Sequence, residues 1–450
     1  MIRHVAIVGA GFSGTLQAIN LLRHDGPRAT LIERAPVAGL GVAYGAAQPS
    51  HLLNVRAGNM SAFPDDPDHF VRWLGGRGMV DAAGTFVPRV TYGAYLRDLL
   101  EEARARAGDR LTVVQNDVAD IVAADEGASV MLADGERIAA DAAVLAVGNL
   151  PPHDPPGLDP ATLSTRYRND PWAPGLSDGL SDADTVLVIG TGLTMVDVAL
   201  TLDAQGFGGR IVAVSRRGLL PREHAPPAPN PDRLRERPAT VASALVAMVR
   251  DRGERIGWRQ AVDELRPFTQ GMWANASGAE RARFLRHLRP WWDVHRHRIA
   301  PPVAARLAAM IADGRLHLVA GKTAGFVERP DGVAVTWRPR GSDATEIIVA
   351  QRIVNCTGPQ GDLARTTEPL LRRLADRGTI RADAARLGID VDAEARTIAA
   401  DGAANDWLYA LGPMTRGAFW EIVAVPDIRT QTWAVARKLS NAHWVGGEGL

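Results

Sequence analysis

Cysteine is almost absent from this sequence: Cys356 is the only one in 450 residues. That excludes a disulfide framework, a cysteine-rich zinc site and any pair of thiols cooperating in redox exchange. Net charge is absent too. Lysine plus arginine and aspartate plus glutamate each number 51, so nothing points to wholesale nucleic-acid binding. No apolar run approaches the roughly 20 residues that span a bilayer. The chain opens on a strand-like segment with no charged-then-apolar leader, so a cytoplasmic protein off the membrane is the expectation. At ~150 residues per domain, this length suggests about three units.

Glycine, by contrast, is plentiful and falls at telling places. Ile2 to Val8 is a short apolar run, Gly9-Ala10-Gly11-Phe12-Ser13-Gly14 follows at once, and Leu16 to Leu22 carries apolar residues at helical spacing. A second strand, Ala29 to Ile32, ends on Glu33-Arg34. Gly9 suits a tight turn, Gly11 lets a pyrophosphate approach the amides of a helix N-terminus, and Gly14 lets helix and strand pack closely. Glu33 is placed to accept hydrogen bonds from a ribose. A dinucleotide site is the expectation, contacted from Gly9 to Gly14 and at Glu33 and Arg34.

The segment from Gly39 to Phe70 shows no obvious element, yet its interleaved apolar and aromatic residues disfavour disorder; it reads as a loop folded over a ligand. Thr91 can cap a helix running to about Ala107. Strands with turns at Asp125-Glu126-Gly127 and Ala133-Asp134-Gly135 follow, the last of them, Ala142 to Val147, ending at Gly148. Pro151 to Asp184 is rich in proline and aspartate and suggests a domain crossing.

The opening pattern then recurs: strand Thr185 to Ile189, turn Gly190-Thr191-Gly192-Leu193-Thr194-Met195, helix Val196 to Leu202, strand Ile211 to Val214. Met195 replaces the third glycine and should space helix from strand without removing the phosphate-binding amides. This copy ends in Ser215-Arg216-Arg217 where the first ends in an acid. An acid favours a free ribose hydroxyl, whereas arginine can clamp a 2'-phosphate bidentately. FAD is therefore expected at the first turn and NADPH at the second; solvated surface arginines are the alternative.

Between Gly218 and about Gly314 lies a helical insertion, with helices expected at Pro238 to Arg250, after a Ser277-Gly278-Ala279-Glu280 capping box, and at Val303 to Ala312. Its middle, Arg283 to Arg298, mixes cations with Trp291 and Trp292. Such a mixture suits a planar anionic substrate; a helix packed by its tryptophans with snorkelling arginines fits equally. No metal site is expected at His295 and His297, for want of further ligands at suitable spacing. Strands return at Leu316 to Val319 and Val333 to Arg338, and Ile353 to Gly358 echoes Val144 to Gly148. Near the end stand Gly412-Pro413, then Trp420, and a helix beginning near Pro426 that carries Arg429 and could face a flavin. His297, Arg298, Trp420 and Arg429 are the candidate substrate contacts; no residue stands out as a catalytic base.

With Gly41-Val42-Ala43-Tyr44-Gly45, Gly190-Thr191-Gly192-Leu193-Thr194-Met195-Val196-Asp197 and Asn355-Cys356-Thr357-Gly358-Pro359, the chain resembles the bacterial FAD/NAD(P)-binding flavoproteins with two dinucleotide domains. That family is similar to flavin N- and C-hydroxylases and includes FAD-dependent urate hydroxylation. The resemblance implies an α/β fold of two Rossmann-like domains, like glutathione reductase and the flavin monooxygenases, with the insertion (218–314) in the second. An FAD domain would comprise 1–150 and 357–450, and an NAD(P) domain 184–356. It implies FAD on Gly9, Gly11, Gly14 and Glu33, with Gly148 and Gly412 nearby, and a nicotinamide nucleotide on Gly190, Gly192 and Thr194. Related reductases carry glycine-aspartate where this sequence has Gly412-Pro413, which leaves the ribityl contact open. The implied reaction takes NADPH, molecular oxygen and a small anionic or nitrogenous substrate, urate among the options. A reductase serving a partner or quinone and a non-catalytic FAD/NADPH sensor are the other readings.

Overall fold

The computed structural model describes residues 2–440 apart from 24, 25, 164, 227, 228 and 230–232. Two mostly parallel sheets organise the chain. The first runs, edge to edge, through Arg396–Ile398, Ala404–Ala410, Ala142–Leu145, His4–Val8, Arg28–Glu33 and Leu111–Gln115. His4–Val8 is buried throughout, as a central parallel strand covered on both faces must be. It pairs in parallel with Arg28–Glu33 and Ala142–Leu145, and Ala404–Ala410 joins the latter, so the end of the chain shares a sheet with its beginning. The helices Phe12–Arg23 and Val425–Leu439 pack together through Leu21, Val435, Ala436 and Leu439.

The second sheet runs through Glu346–Ala350, Gly332–Pro339, Leu316–Arg329, Arg210–Ser215, Thr185–Ile189, Arg352–Asn355 and Tyr167–Arg168. Thr185–Ile189 sits at its centre, paired in parallel on both sides. Leu316–Arg329 starts parallel to Arg210–Ser215 and continues into an antiparallel hairpin with Gly332–Pro339. A third, antiparallel sheet is formed by Val118–Ala124, Gly127–Leu132 and Arg137–Ala140. No described helix is long and apolar enough to cross a membrane.

Several elements depart from expectation for reasons of tertiary structure. The first insertion helix is Ala242–Ile256, not Pro238 to Arg250, because the Glu280 carboxylate accepts the Ala242 N–H at 2.8 Å and fixes the start. The Ser277 hydroxyl does cap its own helix, accepting from Glu280 N, but Glu280 is spent elsewhere and the box closes on one side only. The helix assigned to Thr91 begins at Arg89, and the last begins at Val425. The stretch from Gly39 to Phe70 contains a short helix, Gly41–Gly45, and buries Leu53, Ala57, Met60 and Phe63 in a core with Tyr92 and Tyr95.

The two sheets are tied by a buried pair. Arg89 donates to both carboxylate oxygens of Asp197, at 2.6 and 3.2 Å, and the His51 ring meets Thr201 Oγ1 at 2.9 Å beside it. Removing one partner strands a buried charge, so Arg89→Met is expected to cost about 3–5 kcal/mol in denaturant unfolding. A loss below ~1 kcal/mol would contradict the tie.

Burial holds the imidazoles of His51, His224, His295 and His297 below their ordinary value. The unfolded chain then takes up protons at higher pH than the folded one. Stability from these groups is complete above about pH 6.5 and declines as pH falls through the lower folded values. Thermal unfolding midpoints should therefore drop between pH 7 and pH 5; a flat profile across that window would refute the buried-neutral state.

Candidate functional site

At the first glycine turn, backbone meets backbone. Gly9 has φ of +97°, and a Cβ there would lie 2.5 Å from the Ala146 carbonyl oxygen; one at Gly14 would lie 1.8 Å from the Gly9 oxygen. Only glycine permits that approach, and it leaves the first-turn amides of Phe12–Arg23 without intrahelical acceptors, ready for an anion. Glu33 braces the turn, accepting from Ala10 N at 2.7 Å and Ala35 N at 2.9 Å. Each carboxylate oxygen retains acceptor capacity for a ribose. Arg34 is different: it pairs with Glu368 at 2.7 Å and Asp117 at 3.2 Å, tying strand end to neighbouring segments instead of standing free for a nucleotide.

The loop after Glu33 lies directly on this turn, since Gly39 N donates to Ala10 O at 2.8 Å and a Cβ on Gly41 would approach Gly11 Cα to 2.9 Å. Gly412 arrives from the C-terminal strand with φ of +74°; a Cβ there would sit 2.5 Å from Ser13 Oγ, and its N–H donates to Gln431 Oε1. Space is open around a Cβ at Gly148. Glycine cradle, free helix amides and acceptor acid together fit FAD.

The second turn repeats the approach. A Cβ at Gly190, φ +122°, would lie 2.0 Å from the Cys356 oxygen, whereas Gly192 opens onto free space. Met195 is fully buried in the core beneath. Thr191 and Ser215 shape the turn: the Thr191 hydroxyl bonds Leu219 O at 2.6 Å and Ser215 Oγ at 2.8 Å, while Ser215 Oγ accepts Gly218 N–H. Gly192, Leu193, Thr194, Arg216 and Arg217 line a cleft of about 2040 Å³. Arg217 approaches the Trp291 ring at 5.8 Å, and no carboxylate among the described residues pairs with either arginine. This donor set fits a nicotinamide dinucleotide bearing a 2'-phosphate.

Of the four expected substrate contacts, His297, Arg298 and Arg429 line this cleft and Trp420 does not. Trp420 is stacked on Trp273 at 4.7 Å and lines a separate cavity inside the insertion. Arg298 is only 3% exposed and spends four of its five N–H groups: it holds Asp263 through two bonds of 3.0 and 2.8 Å and donates to His295 O and Arg259 O. It braces the insertion. Arg429 spends Nη1 on Ser61 O at 2.8 Å, and its buried Nε has no acceptor. Burial pulls the His297 imidazole below its ordinary value, against the opposing attraction of Glu421 and Asp293.

Reading the sequence missed Glu421 and Arg416. Glu421 is fully buried, accepts Trp292 Nε1 at 3.0 Å, and lies 3.4 Å from Arg296 Nε. Burial pushes its carboxyl up, but His297, Arg296, the Trp292 N–H and Arg266 together hold it below the usual range. A lone acid in the apolar run Ala418 to Val425 was the available signal. Arg416 lies 4.2 Å over the Trp420 ring, has no carboxylate partner among the described residues, and is pulled by burial to about 10. The last helix begins beside this cleft, its Asp427 paired with Arg266 at 2.9 Å. Among the described residues no three histidine, cysteine or acidic side chains group to hold a metal.

Residues 6–150 match a family model described as FAD-NAD(P)-binding. No curated protein sequence matches the chain. Among solved structures, L-lysine 6-monooxygenase from Pseudomonas syringae aligns with TM-score 0.68 at 16% identity, over 99% of this chain and 100% of that one. Ornithine hydroxylase from Pseudomonas aeruginosa aligns at 0.67 and 15%, over 98% and 99%. The fold is that of the flavin-dependent hydroxylases. Thioredoxin reductase from T. acidophilum shares it more loosely, at TM-score 0.52 and 14% identity, over 98% of each chain. The first glycine turn thus lies inside an FAD-NAD(P)-binding segment, within a fold common to flavin monooxygenases and reductases.

Proposed function

We propose that this protein is an FAD-dependent, NADPH-using monooxygenase acting on a small substrate that carries negative charge or nitrogen, with urate one such compound. When bound, FAD reduced by NADPH supplies the chemistry that puts one oxygen atom of O2 into the substrate and the other into water. The chain's own residues bind, orient and enclose. Phe12–Arg23 offers its N-terminus to the flavin pyrophosphate, Arg216 and Arg217 hold the 2'-phosphate, and the Gly39–Phe70 segment and the insertion exclude water.

The observation that carries the substrate class is the charge of the cleft. Twelve arginines and Lys322 line it against four acids, and each acid already meets an arginine: Asp263 meets Arg298, Glu264 meets Arg252, Asp427 meets Arg266, and Asp293 meets Arg289 more loosely at 3.4 Å. Asp293 keeps its Oδ1 without a hydrogen-bond partner, but cations far outnumber acids around the cleft, and Arg416 forms no ion pair among the described residues. The lysine and ornithine hydroxylases take amines by name; this cleft favours an anion. The dithiol chemistry of a thioredoxin reductase is closed to it, since Cys356 is buried and alone and burial pushes its thiol up.

FAD-loaded protein with NADPH and 18O2 tests the reading across urate, other purines, small carboxylates and diamines. A monooxygenase yields a product heavier by one 18O and releases less peroxide than NADPH consumed. Peroxide equal to NADPH with every compound, together with rapid quinone reduction, would establish a reductase instead; no NADPH oxidation at all would leave a sensor.

A further inference from the structure

A second cavity, of about 630 Å³ and open to solvent on one side, lies between the helices of the insertion and Trp420. Cavities of roughly 300–1,000 Å³ are the size that takes small molecules. Its walls come from the helices Ala242–Ile256, Trp258–Asp263, Thr269–Asn275 and Arg289–Arg296 and from the π-helical turn Phe284–Leu288. π-turns are rare and concentrate at functional sites. Five tryptophans, Trp258, Trp273, Trp291, Trp292 and Trp420, line the space, and Leu245, Val246, Val249 and Met272 complete an apolar surface.

Apolar side chains tend to close on one another, so an apolar groove of this size needs a frame that resists collapse. The aromatic rings supply one. Trp273 stacks on Trp420, Phe284 stands edge-on to Trp420 at 5.2 Å, and Trp258 meets His295 edge-on at 4.9 Å.

A second observation points to an occupant. Trp420 is 3% exposed and its indole N–H has no acceptor, although its neighbours have theirs: Trp273 donates to Gly417 O at 2.8 Å and Trp292 to Glu421 Oε1 at 3.0 Å. A buried donor left unpaired is destabilising, and a ligand acceptor would remove that cost. The wall carries two arginines and two glutamates: Arg281 is held by the carbonyls of Trp273 and Ala274, Glu280 by Ala242 N–H and Arg283, and Arg250 and Glu254 are exposed. With the two signs balanced, neutral chemistry suits the apolar part of the site.

We infer that the insertion holds a binding site for a neutral, ring-bearing small molecule with a carbonyl-type acceptor, which stacks among the tryptophans and accepts the Trp420 N–H. The site adjoins the nucleotide cleft, because Trp258 lines both, and one helix shows Trp291 and Trp292 to the cavity and Asp293 and Arg296 to the cleft. The inference does not rest on the monooxygenase reading.

Benzophenone, two rings with one carbonyl, is a suitable probe for the FAD-loaded full-length protein. Saturable quenching of tryptophan fluorescence is expected, and irradiation should label Met272 or the Leu245 to Val249 face, located by peptide mass spectrometry. Val246→Trp fills the space and should weaken binding at least tenfold, as a rough expectation from steric exclusion; Leu245→Phe is the milder version, and retained FAD absorbance certifies folding. Trp420→Phe should weaken benzophenone roughly three- to tenfold, the worth of one hydrogen bond, and leave diphenylmethane, which lacks the carbonyl, unaffected. Non-saturable quenching, labels confined to the cleft, or indifference to both cavity-filling variants would overturn the site. Equal losses for both compounds on Trp420→Phe would overturn its acceptor.

Discussion

NADPH should reduce this enzyme with kcat/KM roughly ten- to a hundredfold above NADH, and substituting Arg216 and Arg217 together with alanine should bring the two coenzymes to parity. The expectation follows from the cleft wall, where both arginines end the Arg210–Ser215 strand with no carboxylate partner among the described residues. An unpaired guanidinium keeps its fork of donors for a phosphate. Each charge-assisted bond is worth about 1.5–3 kcal/mol, and 1.4 kcal/mol is tenfold. The loss should fall on KM for NADPH, with NADH kinetics little changed, since NADH has no 2'-phosphate to lose. Equal efficiency of the two coenzymes in the unsubstituted protein would remove the phosphate-clamp role at once.

The second large effect separates the two glycine turns. Gly190→Ala places a methyl group 2.0 Å from the Cys356 carbonyl, at a φ of +122° that side chains rarely adopt. Either fault costs on the order of 1–3 kcal/mol or more, and a turn displaced by about 1 Å misplaces whatever its amides hold, which can cost ~100-fold in rate. NADPH-driven reduction should fall about a hundredfold or more while flavin absorbance and its reduction by dithionite persist. Gly14→Ala, where the clash with the Gly9 oxygen would be at 1.8 Å, should instead empty the protein of FAD. A Gly190→Ala protein that loses FAD, or a Gly14→Ala protein that keeps it, would invert the assignment of cofactors to turns.

Much of this was legible in the sequence because it is local. Gly9, Gly14 and Gly190 announce themselves, since a tight strand-to-helix turn can be made only where a side chain is missing. Glu33 and the Ser215-Arg216-Arg217 end are a fixed number of residues beyond those turns, so spacing alone places them. What spacing could not place was anything whose partner is distant in the chain. Arg298 reads in sequence as a substrate contact, and nothing in its spacing shows that it holds Asp263, thirty-five residues away. Arg34 was likewise claimed by Glu368, and Trp420 by Trp273. The converse case is Arg416, unremarkable in sequence, which lines the cleft and forms no ion pair among the described residues.

The sequence by itself determined the two glycine turns and the acid-versus-arginine contrast between them, because backbone geometry and short-range spacing are written residue by residue. The tertiary structure alone decided which charges are free. An arginine's role depends on whether folding brings a carboxylate within reach, and that is a property of the cleft and not of the arginine.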